Sequence, residues 1–505
     1  MTDELLLAID QGTTSSRVLL FNRELQVLGV EQRELAQSFP QPGWVEHDPH
    51  QIAQDVQELS AILLQRCTQE GWGKVLGVGI TNQRETMVLW DRLSGRALHP
   101  AIVWQDRRTA AHCQDLEQRG CADMIQAKTG LLLDPYFSAS KLAWLLDQVP
   151  NARTRAERGE LAAGTIDCWL AWQLSAGQLH VTEASNASRT MLWDLSAQTW
   201  DPELLELFQI PSSLLPSVQS SASHFGTMQL GQPAQELPLL AILGDQQAAT
   251  LGQQCQEPGS VKCTYGTGAF LVQSSGQERP KAAAGLLATA LLGDGEQSLF
   301  ALEGSVFSAG ATVQWLRDGL GFFTDAADIT QLAATADDQE RVYLIPAFTG
   351  LGAPYWQPDA RGMLVGLSRG SDRRSVARAA LEASCYRTRD LLEAGLRSGV
   401  PIPQRIHIDG GMANNDWFAQ RLADLLNVEV VRPDNPEATA RGVAMAAGRS
   451  VGWWSSWKQA PTAPLAAQFS PTMSELEREE RYEGWQAAVS ACSHLARSAS
   501  RKSSS

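Results

Sequence analysis

The sequence predicts an α/β protein of two domains that face each other across a cleft. Its 505 residues exceed what one hydrophobic core usually organises, so two domains of roughly 200 to 250 residues are expected. Short apolar runs with strand character alternate with helical patterns along the chain. The strand–turn–strand pattern that opens the sequence recurs just after Gly259.

Taken in order, Leu5 to Ile9 reads as a buried strand, Asp10 to Ser16 as a polar turn and Val18 to Phe21 as a second strand, giving a hairpin at the start. Val75 to Ile80 is another apolar strand, with a polar break at Thr81, and Met87 to Trp90 resumes extended structure before a Leu-Ser-Gly turn. Helical patterns follow, among them Lys141 to Gln148 and Asp201 to Phe208. The strand Leu239 to Leu243 leads into a helix over Gln246 to Leu251, with Asp245 at its cap. The boundary falls near residue 250, giving domains 1–250 and 251–505. In the second half Ser260 to Thr264 and Ala269 to Gln273 flank the turn Tyr265-Gly266-Thr267-Gly268. Arg405 to Asp409 is a strand and Asp416 to Leu426 a helix. The stretch Ala460 to Thr472 separates a last helix, Ser474 to Ala496, and the tail Ser498 to Ser505 is expected to fray.

Composition narrows the function. A net charge of −15 offers no attraction to a polyanion, which argues against nucleic acid and anionic lipid as partners. No run is long and apolar enough to span a bilayer, and the N-terminus lacks the pattern of a signal peptide, so a cytoplasmic protein is expected. Eight scattered cysteines without a Cys-x-x-Cys pair read as reduced buried thiols, and the histidines make no zinc-type spacing.

The turn Asp10-Gln11-Gly12-Thr13-Thr14-Ser15-Ser16-Arg17 puts a carboxylate, a glycine, four hydroxyls and a cation together at a strand end. Those are the parts of a phosphate cradle with an adjacent anchor for hydrated Mg²⁺, although a hairpin turn stabilised by its own Asp and Ser side chains would look the same in isolation. The second turn, Gly266-Thr267-Gly268, at the matching place in the other half, favours the cradle, and Asp409-Gly410-Gly411-Met412 ends a third such strand. There is no Walker sequence and no Gly-x-Gly-x-x-Gly after the first strand.

Two facing glycine-containing hairpins resemble the ribonuclease H-like, actin-like ATPase fold. From Asp10 to about Trp485 the chain further resembles the glycerol kinases of the FGGY carbohydrate kinase family. The resemblance is carried in order by D-Q-G-T-T-S-S-R, P-G-W-V-E-H-D-P, I-T-N-Q-R-E-T, D-P-Y-F-S, N-A-S-R-T-M-L, G-D-Q-Q-A-A, T-Y-G-T-G and P-A-F-T-G-L-G-A-P-Y-W. It implies ATP-dependent phosphorylation of glycerol with Mg²⁺ near Asp10 and Asp245 as base. Arg84, Glu85, Trp104, Tyr136, Asp245, Gln246 and Phe270 would surround glycerol. Thr13, Thr14, Ser15 and Arg17 would meet the nucleotide from one side, and Thr267, Gly310, Gln314, Gly411 and Asn415 from the other. The residue types suit these tasks, since a triol needs several donors and acceptors with aromatic cover over its carbons. Gly310 and Gln314 are one turn apart in a helical pattern over Phe307 to Leu316, hence on one face. Asn415 and Gly411 equally suit a local strand-to-helix cap. A pentulose or longer-polyol kinase, or a non-catalytic actin-like module, would share the nucleotide motifs. The family resemblance also suggests a homodimer or homotetramer.

Some bacterial relatives are inhibited by fructose 1,6-bisphosphate at a glycine-rich, arginine-containing loop, and some Gram-positive ones are activated through a loop histidine. The corresponding stretch here, Gln229 to Pro238, has one glycine, no Arg, Lys or His, and carries Glu236. Neither regulation is expected through it.

Overall fold

A computed structural model describes residues 3–282, 284–294, 297–434 and 437–503. Two mixed sheets dominate it. The first has six strands in the order Ala222–Leu230, Gln235–Gly244, Lys74–Asn82, Glu4–Gln11, Ser15–Phe21 and Val27–Glu34. The second has seven, in the order Leu287–Leu292, Leu299–Val306, Ala269–Gly276, Val261–Tyr265, Arg405–Asp409, Glu429–Pro433 and Leu465–Phe469.

Both sheets share one plan. In each, three strands lie antiparallel in succession on one side, and on the other a later strand pairs parallel with the opening strand and a further one pairs parallel beside it. The sequence pattern explains which strands are central. Leu5 to Ile9 is continuously apolar and fully buried, as a strand covered on both faces must be, while the edge strand Val27–Glu34 alternates and faces water on one side.

The helix Pro49–Glu70 begins where the Asp48 carboxylate accepts the amides of His50 (2.9 Å) and Gln51 (3.3 Å), and stops at Gly71 in the left-handed region. Its Ile52, Val56, Leu59 and Leu63 cover one face of the first sheet. The opposite face is covered from the other half of the sequence. Val443, Ala444 and Ala447 of the helix Ala438–Ser450 pack on Leu6, Ala8, Leu240 and Leu243. That helix crosses Asp245–Gly252 at backbone contact: a Cβ on Gly442 would overlap the Ala248 carbonyl, and one on Gly252 the Ala438 carbonyl. Dividing the sequence at residue 250 therefore does not divide the packing.

Other departures from the sequence expectation are local. The stretch Ala460 to Thr472 contains the strand Leu465–Phe469, which pairs antiparallel with Glu429–Pro433 and finishes the second sheet. The last helix runs Glu475–Ser503 and so enters the segment expected to fray, because neither glycine nor proline follows Gly484 to stop it; residues 504 and 505 lie outside the described part. All eight cysteines are free thiols, seven of them buried.

Candidate active site

The parallel strands of the first sheet end side by side. Asp10 and Gln11 stand opposite Thr81 and Asn82, and Gly244 stands opposite Asn82 from the other side. In such sheets ligands bind beyond the carboxyl ends of the strands. The strand extends to Asn82, one residue past the break expected at Thr81. Glu85 then takes φ +58°, uncommon for a residue with a side chain. The turn lets Arg84 and Glu85 both point inward, at 3% and 2% exposure, where an extended strand would send them to opposite faces. Asp245 is the first residue of its helix and Gly244 takes the cap position, so the expected cap role falls one residue earlier. The Asp245 carboxylate still accepts the Gln246 amide (2.7 Å) and gains from the helix dipole.

These groups belong to a chain of charges that is buried except at Asp245, whose side chain is partly open to the cleft. Arg84 Nε forms an ion pair with Asp245 Oδ1 (3.1 Å), while Nη1 and Nη2 donate to the two oxygens of Glu303 (2.7 and 2.8 Å). Arg189 continues it, donating from Nε to Glu85 (2.6 Å) with Nη1 3.4 Å from Glu303. Burial alone would raise the Glu303 carboxyl, but Arg189 and Arg84 outweigh it and hold it down at about 2. Asp245 and Glu85 go the other way: burial pushes both carboxyls above their ordinary range, against Arg84 at Asp245 and chiefly Arg189 at Glu85.

Sequence reasoning assigned no role to Glu303, Arg189 or Lys262. Arg189 lay in plain view within N-A-S-R-T-M-L. Glu303 and Lys262 are single charges inside strands with no exposed surface, and that isolation was the available signal.

Half-buried aromatics stand beside these charges. The Trp104 ring meets Tyr136 edge-on at 5.4 Å and Phe270 at 6.4 Å, and its indole N–H donates to Thr13 Oγ1 (3.0 Å). Phe270 comes from the second sheet, so the pocket has walls from both halves. Gln246 accepts from the buried Lys262 ammonium of the second sheet (2.8 Å).

Two cavities continue from this point. One, of about 540 Å³, is lined by Asp10, Ser15, Arg17, Asp245, Gln246 and Lys262. The other, of about 470 Å³, brings together Thr267, Gly310, Gln314, Gly411 and Asn415, all five second-half nucleotide candidates. The two share Asn414. Thr14 is exposed on its turn and Thr13 faces Trp104; neither lines these cavities. Arg17 is held by Asp10 and Glu437 (both 2.6 Å), and burial raises the Asp10 carboxyl against this cation. The helix carrying Gly310 and Gln314 is shorter than its sequence pattern, Gly310–Gln314, and passes into a wider turn over Trp315–Gly319. Asn415 caps the helix Asp416–Leu426 by accepting the Phe418 amide (3.1 Å), so its local role is realised at the cavity wall.

Two lobes of one plan, with carboxylates and arginines at the strand ends of one and a glycine-lined cavity in the other, define a two-lobed phosphotransferase. Residues 5–252 match the model of the N-terminal domain of the FGGY family of carbohydrate kinases, and residues 261–451 that of its C-terminal domain. The chain belongs to this family. Among curated relatives it is 48% identical to a glycerol kinase from Shewanella amazonensis, over 97% of this chain and 99% of the relative. It is 50% identical to one from Rhodospirillum centenum, over 96% and 97%. The solved glycerol kinase of Plasmodium falciparum with ADP superposes with a TM-score of 0.92 at 31% identity, covering 97% of this chain and 98% of that one.

Proposed function

We propose that this protein transfers the γ-phosphoryl group of ATP to glycerol, giving sn-glycerol 3-phosphate and ADP. The observation that carries the proposal is the position of Asp245, whose carboxylate borders the cavity lined by Asp10 and Lys262 and is held by Arg84 at the aromatic-walled pocket. The named activity of relatives at 48% and 50% identity supports it.

In this reading residues 1–250 supply the glycerol and phosphate side and 251–505 the nucleotide side. Arg84, Glu85, Tyr136, Asp245 and Gln246 exchange hydrogen bonds with the hydroxyls, while Trp104 and Phe270 cover the carbons. Asp245 takes the proton of the attacking hydroxyl, which its raised affinity for protons favours. In a loose transition state its larger task is to aim that oxygen at phosphorus. The turn Thr13 to Arg17 and the cavity holding Thr267, Gly310, Gln314, Gly411 and Asn415 hold ATP from its two ends. Closing the lobes would exclude water, which otherwise competes as the nucleophile.

Mg²⁺ fits the residues present. Among the described residues no group of three or more ligating side chains is placed to hold an ion outright. Asp10 nevertheless offers its carboxylate at the wall of the phosphate-side cavity, where a hydrated Mg²⁺ would complete its shell with water and phosphate. Bound there, the ion would neutralise charge on the phosphates.

No helix of the described residues is long and apolar enough to cross a membrane. A cytoplasmic location and assembly as a homodimer or homotetramer complete the proposal, the latter open to light scattering. The decisive experiment is coupled ADP release over glycerol, dihydroxyacetone, erythritol, xylulose and ribulose. Glycerol should give the highest kcat/KM. A pentulose preferred over glycerol, or slow hydrolysis indifferent to every acceptor, would refute it.

A further inference from the structure

Arg84 is read above as a donor to the substrate, yet its guanidinium is already largely occupied. Glu303 engages it through Nη1 and Nη2 at 2.7 and 2.8 Å, and Gln247 Oε1 accepts a longer bond from Nη1 (3.3 Å). A two-point contact fixes both the plane and the direction of a guanidinium. What remains for Asp245 is the single Nε contact at 3.1 Å. Glu303 belongs to the strand Leu299–Val306 of the second sheet, whereas Arg84, Glu85, Arg189 and Asp245 come from the first half of the chain. Its carboxylate also faces Arg189, which in turn holds Glu85, so both members of the Arg84-Glu85 pair answer to it.

We propose that Glu303 is a positioning residue: by occupying both terminal nitrogens of Arg84 it keeps that arginine from closing as a two-point ion pair on Asp245, and so preserves Asp245 as a base. This rests on the glycerol-kinase reading of the site. The charge balance supports it. Arg84, Arg189 and Lys262 stand against Asp245, Glu85 and Glu303, three of each sign, and both Lys262 and Glu303 act on Asp245 electrostatically. Asp10 and Asp409 also line the cavity that Asp245 borders. Removing Glu303 leaves one cation in excess, and Asp245 is the carboxylate that Arg84 already touches. Arg84 then turns its freed nitrogens to Asp245, and the base becomes a stronger acid. A base too well neutralised accepts a proton poorly even when correctly placed.

The test compares the parent with Glu303→Gln and Glu303→Asp in glycerol-dependent ADP release across pH, with KM for ATP and Tm measured alongside. Glu303→Gln removes the charge at nearly constant shape. The expected result is a kcat at least tenfold lower, an acid limb of the pH profile moved to lower pH by half a unit or more, and a KM for ATP within threefold of the parent. Glu303→Asp keeps the charge but withdraws the carboxylate by one methylene, and shifts the same quantities in the same direction by less. A folded Glu303→Gln with kcat within threefold and an unmoved acid limb overturns the proposal. So does a rise in both KM values with the acid limb unmoved, which is general damage. Should Glu303→Gln fail to fold, Glu303→Asp decides by the same readings. A parent inactive on glycerol refutes the function proposed above, and this proposal is then judged by a Tm cycle of Arg84→Lys with Glu303→Asp, where additive losses overturn it.

Discussion

The two lobes share a strand plan but carry different chemistry at its strand ends. In the first, the parallel strands finish at Gln11 just after Asp10, at Asn82 just before Arg84 and Glu85, and at Gly244 just before Asp245. In the second, the strands Val261–Tyr265 and Arg405–Asp409 run into Gly266 and into Gly410-Gly411. The first lobe brings Asp10, Arg84, Glu85 and Asp245 to the cleft; the second adds Lys262, Glu303 and Asp409 but opens space beside them with Gly266, Gly410 and Gly411. A common scaffold thus fixes where a residue sits, and residue size and charge fix which substrate half it serves.

The comparison breaks most visibly at Asp245. Asp245→Asn keeps the hydrogen bonds and loses the base, so kcat should fall by roughly 10² to 10⁴ with glycerol affinity within about tenfold. Near-normal kcat would remove Asp245 from the mechanism. The parent should lose kcat/KM as pH falls, because protonation abolishes the base, and burial against the pull of Arg84 raises the pH at which this begins. A flat acid side in a pH–rate profile would contradict that assignment.

Arg84→Ala removes a charged donor worth roughly 1.5 to 3 kcal/mol, about 10- to 100-fold in kcat/KM for glycerol. It also leaves Glu303 buried without its main partner, so Tm should fall too, while ADP binding by calorimetry stays within a few-fold. Unchanged kinetics for glycerol would refute the pocket.

The junction between lobes is tested at Gly442. Gly442→Ala puts a methyl against the Ala248 carbonyl, and overpacking there should cost about 1 to 3 kcal/mol in denaturant unfolding. A neutral result would mean that the helix Ala438–Ser450 is free to slide on the first sheet. Gly411→Ala is its counterpart in the second lobe. Among the described residues, no atom beyond its chain neighbours lies within 4 Å of the added carbon, and Gly411 lines the nucleotide cavity. KM for ATP should therefore rise several-fold with Tm unchanged; the reverse pattern would make Gly411 structural.

The smallest expected effect is none. Gln229 to Glu236 is a tight hairpin in which Gln229 pairs with Glu236 and Leu230 with Gln235. With its backbone engaged in a ladder and no cation present, the hairpin should not hold fructose 1,6-bisphosphate. Millimolar-range inhibition that disappears on replacing Gln232 to Glu236 would show otherwise.

Read alone, the sequence determined a great deal. Continuous apolar runs fixed Leu5 to Ile9 and Leu239 to Leu243 as buried strands, and the helix Asp416–Leu426 and strand Arg405–Asp409 were legible to the residue, because burial periodicity and capping are local properties. The tertiary structure alone decided that a helix of the second half covers the first sheet, and that Arg84 and Glu85 are buried ions of a network rather than a solvated pair. It also set Glu303, 219 positions from Arg84, against its guanidinium. No local pattern encodes such contacts. An ion in an apolar strand announces only that a partner must exist, since an unpaired buried charge is too costly to keep, and folding of the whole chain settles which partner that is.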